Sequence, residues 1–268
     1  MTGEGGGIVP SALPLEHVHP GASFSALLEG RGIAPRWVVG DGTADLNLAE
    51  ATTVLSMRYA DGVVMAGDRR ATAGNVIAHK RVKKVYPADR YSAVAISGTA
   101  GMALEMIRLF QTELEHYEKI EDMRLSLEGK ANYLARMVRN NLALAFQGLV
   151  VIPLFCGYDE TDRVGRLYTF DVVGGRYEER DYATTGSGGA EARSFLKAKW
   201  VEGMAEDAVL ELAVEALIAA AEEDAATGGV DLKRGILPTV VTVSDAGYVE
   251  IPDERISEIA ERVLEGRP

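Results

Sequence analysis

Sulfur chemistry is almost missing from this chain: Cys156 is the single cysteine in 268 residues. That excludes an intrachain disulfide framework and fits a reducing compartment such as the cytoplasm. Histidine is scarce too, with four in all. His17 and His19 lie in the N-terminal stretch, which leaves His79 and His116 for any Ser-His or Cys-His arrangement. His116 sits among Glu113, Glu115, Glu118 and Lys119, the pattern of a solvated helical face. Neither Ser97 nor Ser187 has the G-x-S-x-G frame of a nucleophile elbow. His17-Val18-His19 supplies two ligands at most, and Cys156 follows an apolar strand as a small buried hydrophobe, so no metal centre is expected. P-loop and dinucleotide fingerprints are absent, so no cofactor is expected and any ATP dependence would belong to a partner. Positive charge is in deficit, with 28 Lys and Arg against 40 Asp and Glu, a net charge of −12 that argues against a nucleic-acid partner. Uninterrupted apolar runs are lacking as well. Met1–Gly7 has neither the charged nor the apolar part of a secretory signal. The best span candidate, Leu142–Tyr158, is broken by Gln147, Gly148 and Pro153 and reads as a helix end followed by a buried strand, so no membrane partner is expected.

What is present is clear periodicity after a leader. Residues 1–51 are rich in Gly, Ala and Pro, weakly periodic, and expected to be loosely ordered. The remainder fits one α/β-sized domain, 52–268. Apolar runs with strand chemistry occupy Thr53–Tyr59, Gly62–Gly67 and Tyr91–Ser97, with Asp61-Gly62 as a tight-hairpin signal. Two helical stripes follow, Met106, Ile107, Phe110 and Leu114, then Leu134, Met137, Val138, Asn141, Leu142 and Ala145. Strands return at Val150–Cys156, Arg166–Val172 and Arg176–Tyr182, and helices at Ala190–Trp200 and Asp207–Glu223. Thr239–Val243 is a buried strand, Tyr248–Ile251 pairs back on it through Ala246-Gly247, and a last helix starts behind Pro252-Asp253. Antiparallel sheets stacked on each other, with helices on both outer faces, satisfy that order, because each helix pair needs a sheet to bury against.

The most informative stretch is Thr52-Thr53-Val54-Leu55-Ser56-Met57-Arg58-Tyr59, followed by Gly67-Asp68-Arg69-Arg70 and Lys83-Lys84-Val85. A hydroxyl nucleophile needs a base within hydrogen-bond reach. If the chain is cut between Ala51 and Thr52, that base is the threonine's own α-amino group, whose ordinary pKa is about 8. Before the cut the same nitrogen is an amide and cannot take a proton. A hydrolase precursor with Thr52 as its nucleophile is therefore expected; the bland alternative is a threonine at home at the start of a strand.

From Thr52 to about Gly266 the chain resembles a proteasome β subunit, most closely the catalytic β subunit of actinobacterial 20S proteasomes. The carriers are Thr52-Thr53, Gly67-Asp68-Arg69-Arg70, Lys84-Val85, Gly98-Thr99-Ala100-Gly101, Gly186-Ser187-Gly188 and Asp224-Ala225-Ala226-Thr227-Gly228-Gly229, in the family's order. The resemblance implies an α+β fold, the four-layer αββα sandwich of N-terminal-nucleophile hydrolases. It makes Lys84 the cation beside Thr52, easing deprotonation of its amine and hydroxyl, and Asp68 the buried partner of Lys84. Gly98, opening the first long helix, would turn its N–H to the oxyanion of a tetrahedral intermediate. Ser187, Asp224 and Thr227 match the set around the threonine amine, with Thr227 where relatives often have serine. Against these stand plainer readings: Lys84 as one solvated charge among Lys80, Arg81 and Lys83, Asp68 as a turn residue, Gly98 as a mere strand-to-helix turn, and the 186–188 and 224–229 segments as a flexible loop and a helix cap.

Ala71, Thr72, Val82, Tyr86, Ile96, Ala100 and Leu104 match the family's substrate-binding positions, a small or apolar lining with no charged member facing the pocket, which implies cleavage after hydrophobic residues. One departure is Ala51, where most relatives have glycine; glycine eases the bend that lets Oγ attack the preceding carbonyl. It leaves Thr53 as a rival first residue, though the spacing to Asp68 and Lys84 favours Thr52. The resemblance further implies stacked heptameric rings of β subunits flanked by α subunits, fed by a ring ATPase with substrates tagged by a small ubiquitin-like protein. Alternatives are the simpler bacterial two-ring peptidase, which also begins Thr-Thr but lacks the 224–229 motif and the final helix; a non-catalytic ring subunit; and a small-molecule amidase of the same fold.

Overall fold

The computed structural model describes residues 52–73 and 76–266; the leader lies outside them. Chain order starts with β1 (Thr53–Tyr59) and β2 (Gly62–Gly67), paired antiparallel with Tyr59 opposite Gly62. The turn is Ala60-Asp61, so the expected Asp61-Gly62 signal is displaced by one residue, and Gly62 already pairs. Both strands alternate with the period of a pleated strand. Val54, Val63 and Met65 face one apolar layer, and Leu55, Met57, Val64 and Ala66 face another.

These two strands are the centre of a five-stranded antiparallel sheet completed by β10 (Tyr182–Gly186) beside β1, then β11 (Thr239–Ser244) and β12 (Gly247–Glu250) beyond β2. A second five-stranded antiparallel sheet runs β5 (Val85–Asp89), β6 (Ser92–Gly98), β7 (Val151–Asp159), β8 (Val164–Phe170), β9 (Arg176–Glu179). The sheets meet across Val54, Met65, Val85, Ala95, Leu154, Cys156 and Val241, among others. On the outer face of the first sheet lie α4 (Gly189–Lys199), α5 (Glu206–Glu223) and α6 (Asp253–Glu265), which bury Leu196, Leu210, Leu217 and Ile259 against Leu55, Met57 and Val64. On the outer face of the second lie α1 (Ala100–Glu121) and α2 (Leu127–Asn140), with Phe110 edge-on to Phe155 at 5.9 Å. The result is an α+β fold, the αββα sandwich of the N-terminal-nucleophile hydrolase type.

Several boundaries differ from expectation. The run Arg176–Tyr182 is not one strand: it breaks at Arg180-Asp181, and its halves join different sheets as β9 and the start of β10. The second helical stripe ends at Asn140, because the Asn141 side chain donates to the Met137 carbonyl at 2.9 Å and competes with helix continuation; a single short turn, α3 (Leu142–Ala145), follows. A two-stranded ribbon, β3 (Ala71–Ala73) with β4 (Val76–His79), and strand β5 were not anticipated. Among the described residues no helix is long and apolar enough to cross a membrane.

Candidate active site

Thr52 stands directly ahead of β1. Its carbonyl accepts the Ser187 N–H at 2.9 Å. The Thr53 N–H donates to Asp68 Oδ1 at 2.9 Å, while the Thr53 carbonyl accepts the Asp68 N–H at 3.1 Å. The peptide unit joining Thr52 to Thr53 is thus held at both its C=O and its N–H.

Asp68 follows β2, and four donors converge on its carboxylate. Oδ1 takes the Thr53 N–H and Lys84 Nζ at 2.6 Å; Oδ2 takes the Arg70 and Gly228 N–H groups at 2.8 Å each. A carboxylate offers about four lone-pair sites, so Asp68 is saturated as an anion and has no site left from which to deprotonate a hydroxyl. The Lys84 and Asp68 side chains are only 4% and 0% exposed. The rest of the basic run is exposed: Lys83 reaches Glu250 at 2.6 Å, and Arg81 the Arg234 carbonyl. Only Lys84 turns inward.

Behind Thr52 lies a row of hydroxyls. Asp224 Oδ2 accepts Ser187 Oγ at 2.5 Å and Thr227 Oγ1 at 2.6 Å, and Asp224 Oδ1 accepts the Ala226 N–H. Partial burial pushes the Asp224 carboxyl up, but the Ser187 and Thr227 hydroxyls and the neighbouring N–H groups outweigh it and hold the carboxyl below its ordinary range. Thr227 Oγ1 is in turn 2.5 Å from Thr53 Oγ1, which accepts the Gly188 N–H at 2.9 Å. Sequence reasoning considered Thr53 only as a rival first residue and gave Gly188 and Gly228 no role of their own; the Thr-Thr doublet and the glycines of both loop motifs were the available signals.

A cleft opens beside Thr52, lined by Ala71, Val82, Tyr86, Ile96, Gly98, Ala100 and Leu104, with Lys83, Lys84, Ala103 and Ile107 in addition. It gathers six of the seven expected substrate-binding positions with Thr52. Thr72 is the exception: buried in β3, it does not line the cleft. The expectation of an uncharged lining also needs correction, since two lysines contribute to it, their ammonium groups drawn toward Glu250 and Asp68. Gly98 closes β6, opposite Val151, rather than opening the helix, which Thr99 caps. Its φ is +113°, and a Cβ there would stand 2.0 Å from the Val150 carbonyl oxygen, so glycine is required by the backbone alone. His79 and His116 are exposed, and burial pushes the fully enclosed Cys156 thiol up to about 12, which keeps it protonated. Among the described residues no group of three or more His, Cys, Asp or Glu could hold a metal ion. Ala51 and the His17-Val18-His19 pair lie outside the described residues.

The sequence pattern of the proteasome subunit family matches residues 48–232. A protein named proteasome subunit beta from Acidimicrobium ferrooxidans is 53% identical over 251 residues, covering 93% of this chain and 92% of its own length. Proteins of the same name from Streptomyces griseus and Rhodococcus erythropolis are each 54% identical, covering 81% of this chain and 77% and 76% of their own lengths.

Proposed function

The chain belongs to the proteasome subunit family, and from that premise we propose that it is the peptide-cleaving β subunit of a 20S core, a threonine endopeptidase that degrades unfolded proteins. The observation that carries this reading is the convergence of Thr52, Lys84 and Gly98 on one apolar cleft, with Asp68 saturated behind them. Once the Ala51–Thr52 bond is cut, the α-amine of Thr52 accepts the proton of its own Oγ as that oxygen attacks the scissile carbonyl. The Lys84 ammonium, fixed by Asp68, favours the deprotonated oxygen. The Gly98 N–H faces the developing oxyanion. Collapse returns the proton to the leaving amine and leaves an ester on Oγ; water, deprotonated by the same α-amine, then releases the second product. Thr53 is a poor rival for the nucleophile, because its hydroxyl is enclosed and hydrogen-bonded on both sides.

The same hydroxyl performs the maturation. Thr52 Oγ attacks the Ala51 carbonyl, the acyl group passes from nitrogen to oxygen, and water removes residues 1–51 as a propeptide from the domain 52–268. Apolar walls favour hydrophobic residues on the acyl side of the cut. In this reading the subunit works in the cytoplasm within stacked heptameric rings of β and α subunits, supplied by a ring ATPase with proteins carrying a ubiquitin-like tag. Intact mass and N-terminal sequencing of wild type and Thr52→Ala, each co-expressed with its α partner, test it. A mature chain beginning at Thr52 in wild type and absent from the variant is expected. Full-length wild-type chains in assembled particles would overturn it.

A further inference from the structure

Five hydrogen bonds around Thr53 share a property that distances alone do not display: their directions are fixed. Asp224 is a carboxylate and only accepts, so the single proton of Thr227 Oγ1 points at Asp224 Oδ2. Thr227 Oγ1 must then accept at its 2.5 Å contact, and the proton in that contact belongs to Thr53 Oγ1. With its proton engaged, Thr53 Oγ1 can only accept from its other neighbour, the Gly188 N–H at 2.9 Å. The chain of donors therefore runs one way, from Gly188 N–H through Thr53 and Thr227 to Asp224. Ser187 Oγ, whose proton also goes to Asp224, is left with lone pairs alone. It is exposed, and its own N–H holds the Thr52 carbonyl, so it presents an acceptor on the Thr52 side of the row.

We infer that Thr53 is a positioning residue for the reaction proposed above, acting through its hydroxyl. Thr53 joins, in one side chain, the 186–188 loop that grips the Thr52 carbonyl to the 224–228 loop that supplies Gly228 to Asp68. Its backbone N–H meanwhile reaches the same Asp68 oxygen as Lys84. The hydroxyl thus ties the two loops to the residue that directly follows the nucleophile. It is wholly enclosed, and the backbone of Gly188 approaches it so closely that a Cβ there would stand 2.8 Å away. Valine at this position fills nearly the same space and suits a strand, but neither accepts from Gly188 nor donates to Thr227. The loops then lose their common tie while the cleft, built from β3, β5, β6 and α1, keeps its walls.

The inference rests on the peptidase reading, and its test keeps the two apart. Thr53→Val, Thr53→Ser and Thr52→Ala are made in the full chain with its α partner, and peptide cleavage is followed beside amide exchange of the segment containing Gly188. Thr53→Val is expected to lower kcat about 10- to 100-fold, with KM within about twofold of wild type. Thr53→Ser is expected to recover most of kcat, and Gly188 exchange to accelerate in the valine variant only. A valine variant with wild-type kcat, a serine variant as impaired as valine, or a loss confined to KM would overturn the inference. If wild type and Thr52→Ala are equally inactive, the peptidase reading falls and exchange alone decides: faster exchange at Gly188 in Thr53→Val supports the tie, and unchanged exchange overturns it.

Discussion

At the scale of single residues, the site is organised by carboxylates that accept and do nothing else. Asp68 meets four donors from four different segments, and replacing one oxygen with an NH₂ group shows how much depends on that. Asparagine at this position would satisfy the donors on one side and point its own N–H groups at the donors on the other. Asp68→Asn is therefore expected to destabilise the fold by about 3–5 kcal/mol, the range for breaking a buried ion pair. Denaturant unfolding measures it, and a midpoint within error of wild type would contradict the saturation argument. Much of this was legible through the family resemblance, which implied that Asp68 and Lys84 pair; they stand 2.6 Å apart. The hydroxyl row was legible only in part. Thr53 lies 135 positions from Gly188 and 174 from Thr227, so its part in joining the two loops is a product of topology, with no local periodicity to betray it.

At the scale of elements, strands whose two faces meet different apolar layers announce themselves, and short polar ones do not. Thr53–Tyr59 and Gly62–Gly67 were predicted to the residue because every position except Arg58 is apolar, aromatic or small. Strand β9, with the sequence Arg-Tyr-Glu-Glu and partly exposed throughout, carries no such pattern, which is why its junction with β10 was read as one strand. Nor could sequence reveal that Lys130 of α2 is buried against Asp89 at 2.5 Å, pinning that helix to the β5–β6 turn. The cleft is likewise a composite, lined by residues from β3, from β5 and β6, and from the first turns of α1. Its apolar side chains predict that peptide libraries will be cut mainly after hydrophobic residues. Dominant cleavage after Arg or Glu would sink that preference, the more informatively because Lys83 stands at the rim with Glu250 beside it.

At the scale of the whole molecule, acid is the condition that undermines the fold. Burial opposes ionisation of Asp224, yet its hydroxyl and N–H donors hold it below the ordinary carboxylate range; Gly175 N–H does the same for Asp171 and Arg234 for Asp231. Each binds a proton less readily folded than unfolded. The stability they contribute is therefore present above about pH 4, where unfolded carboxylates are ionised, and is lost as pH falls through the lower folded values. Denaturation midpoints should be flat from about pH 7 to pH 5 and drop below about pH 4; a midpoint that held or rose on further acidification would contradict these assignments. The two-sided pairing of β1, with β10 on one edge and β2 on the other, has a different bearing. A strand gripped along both edges, its leading peptide pinned at each end, would leave the scaffold nothing to rearrange if the bond ahead of Thr52 is severed as proposed. In the proposed maturation, dormant and competent forms would then share one shape and differ in the basicity of a single nitrogen, so that activation would be an event of chemistry without a conformational partner.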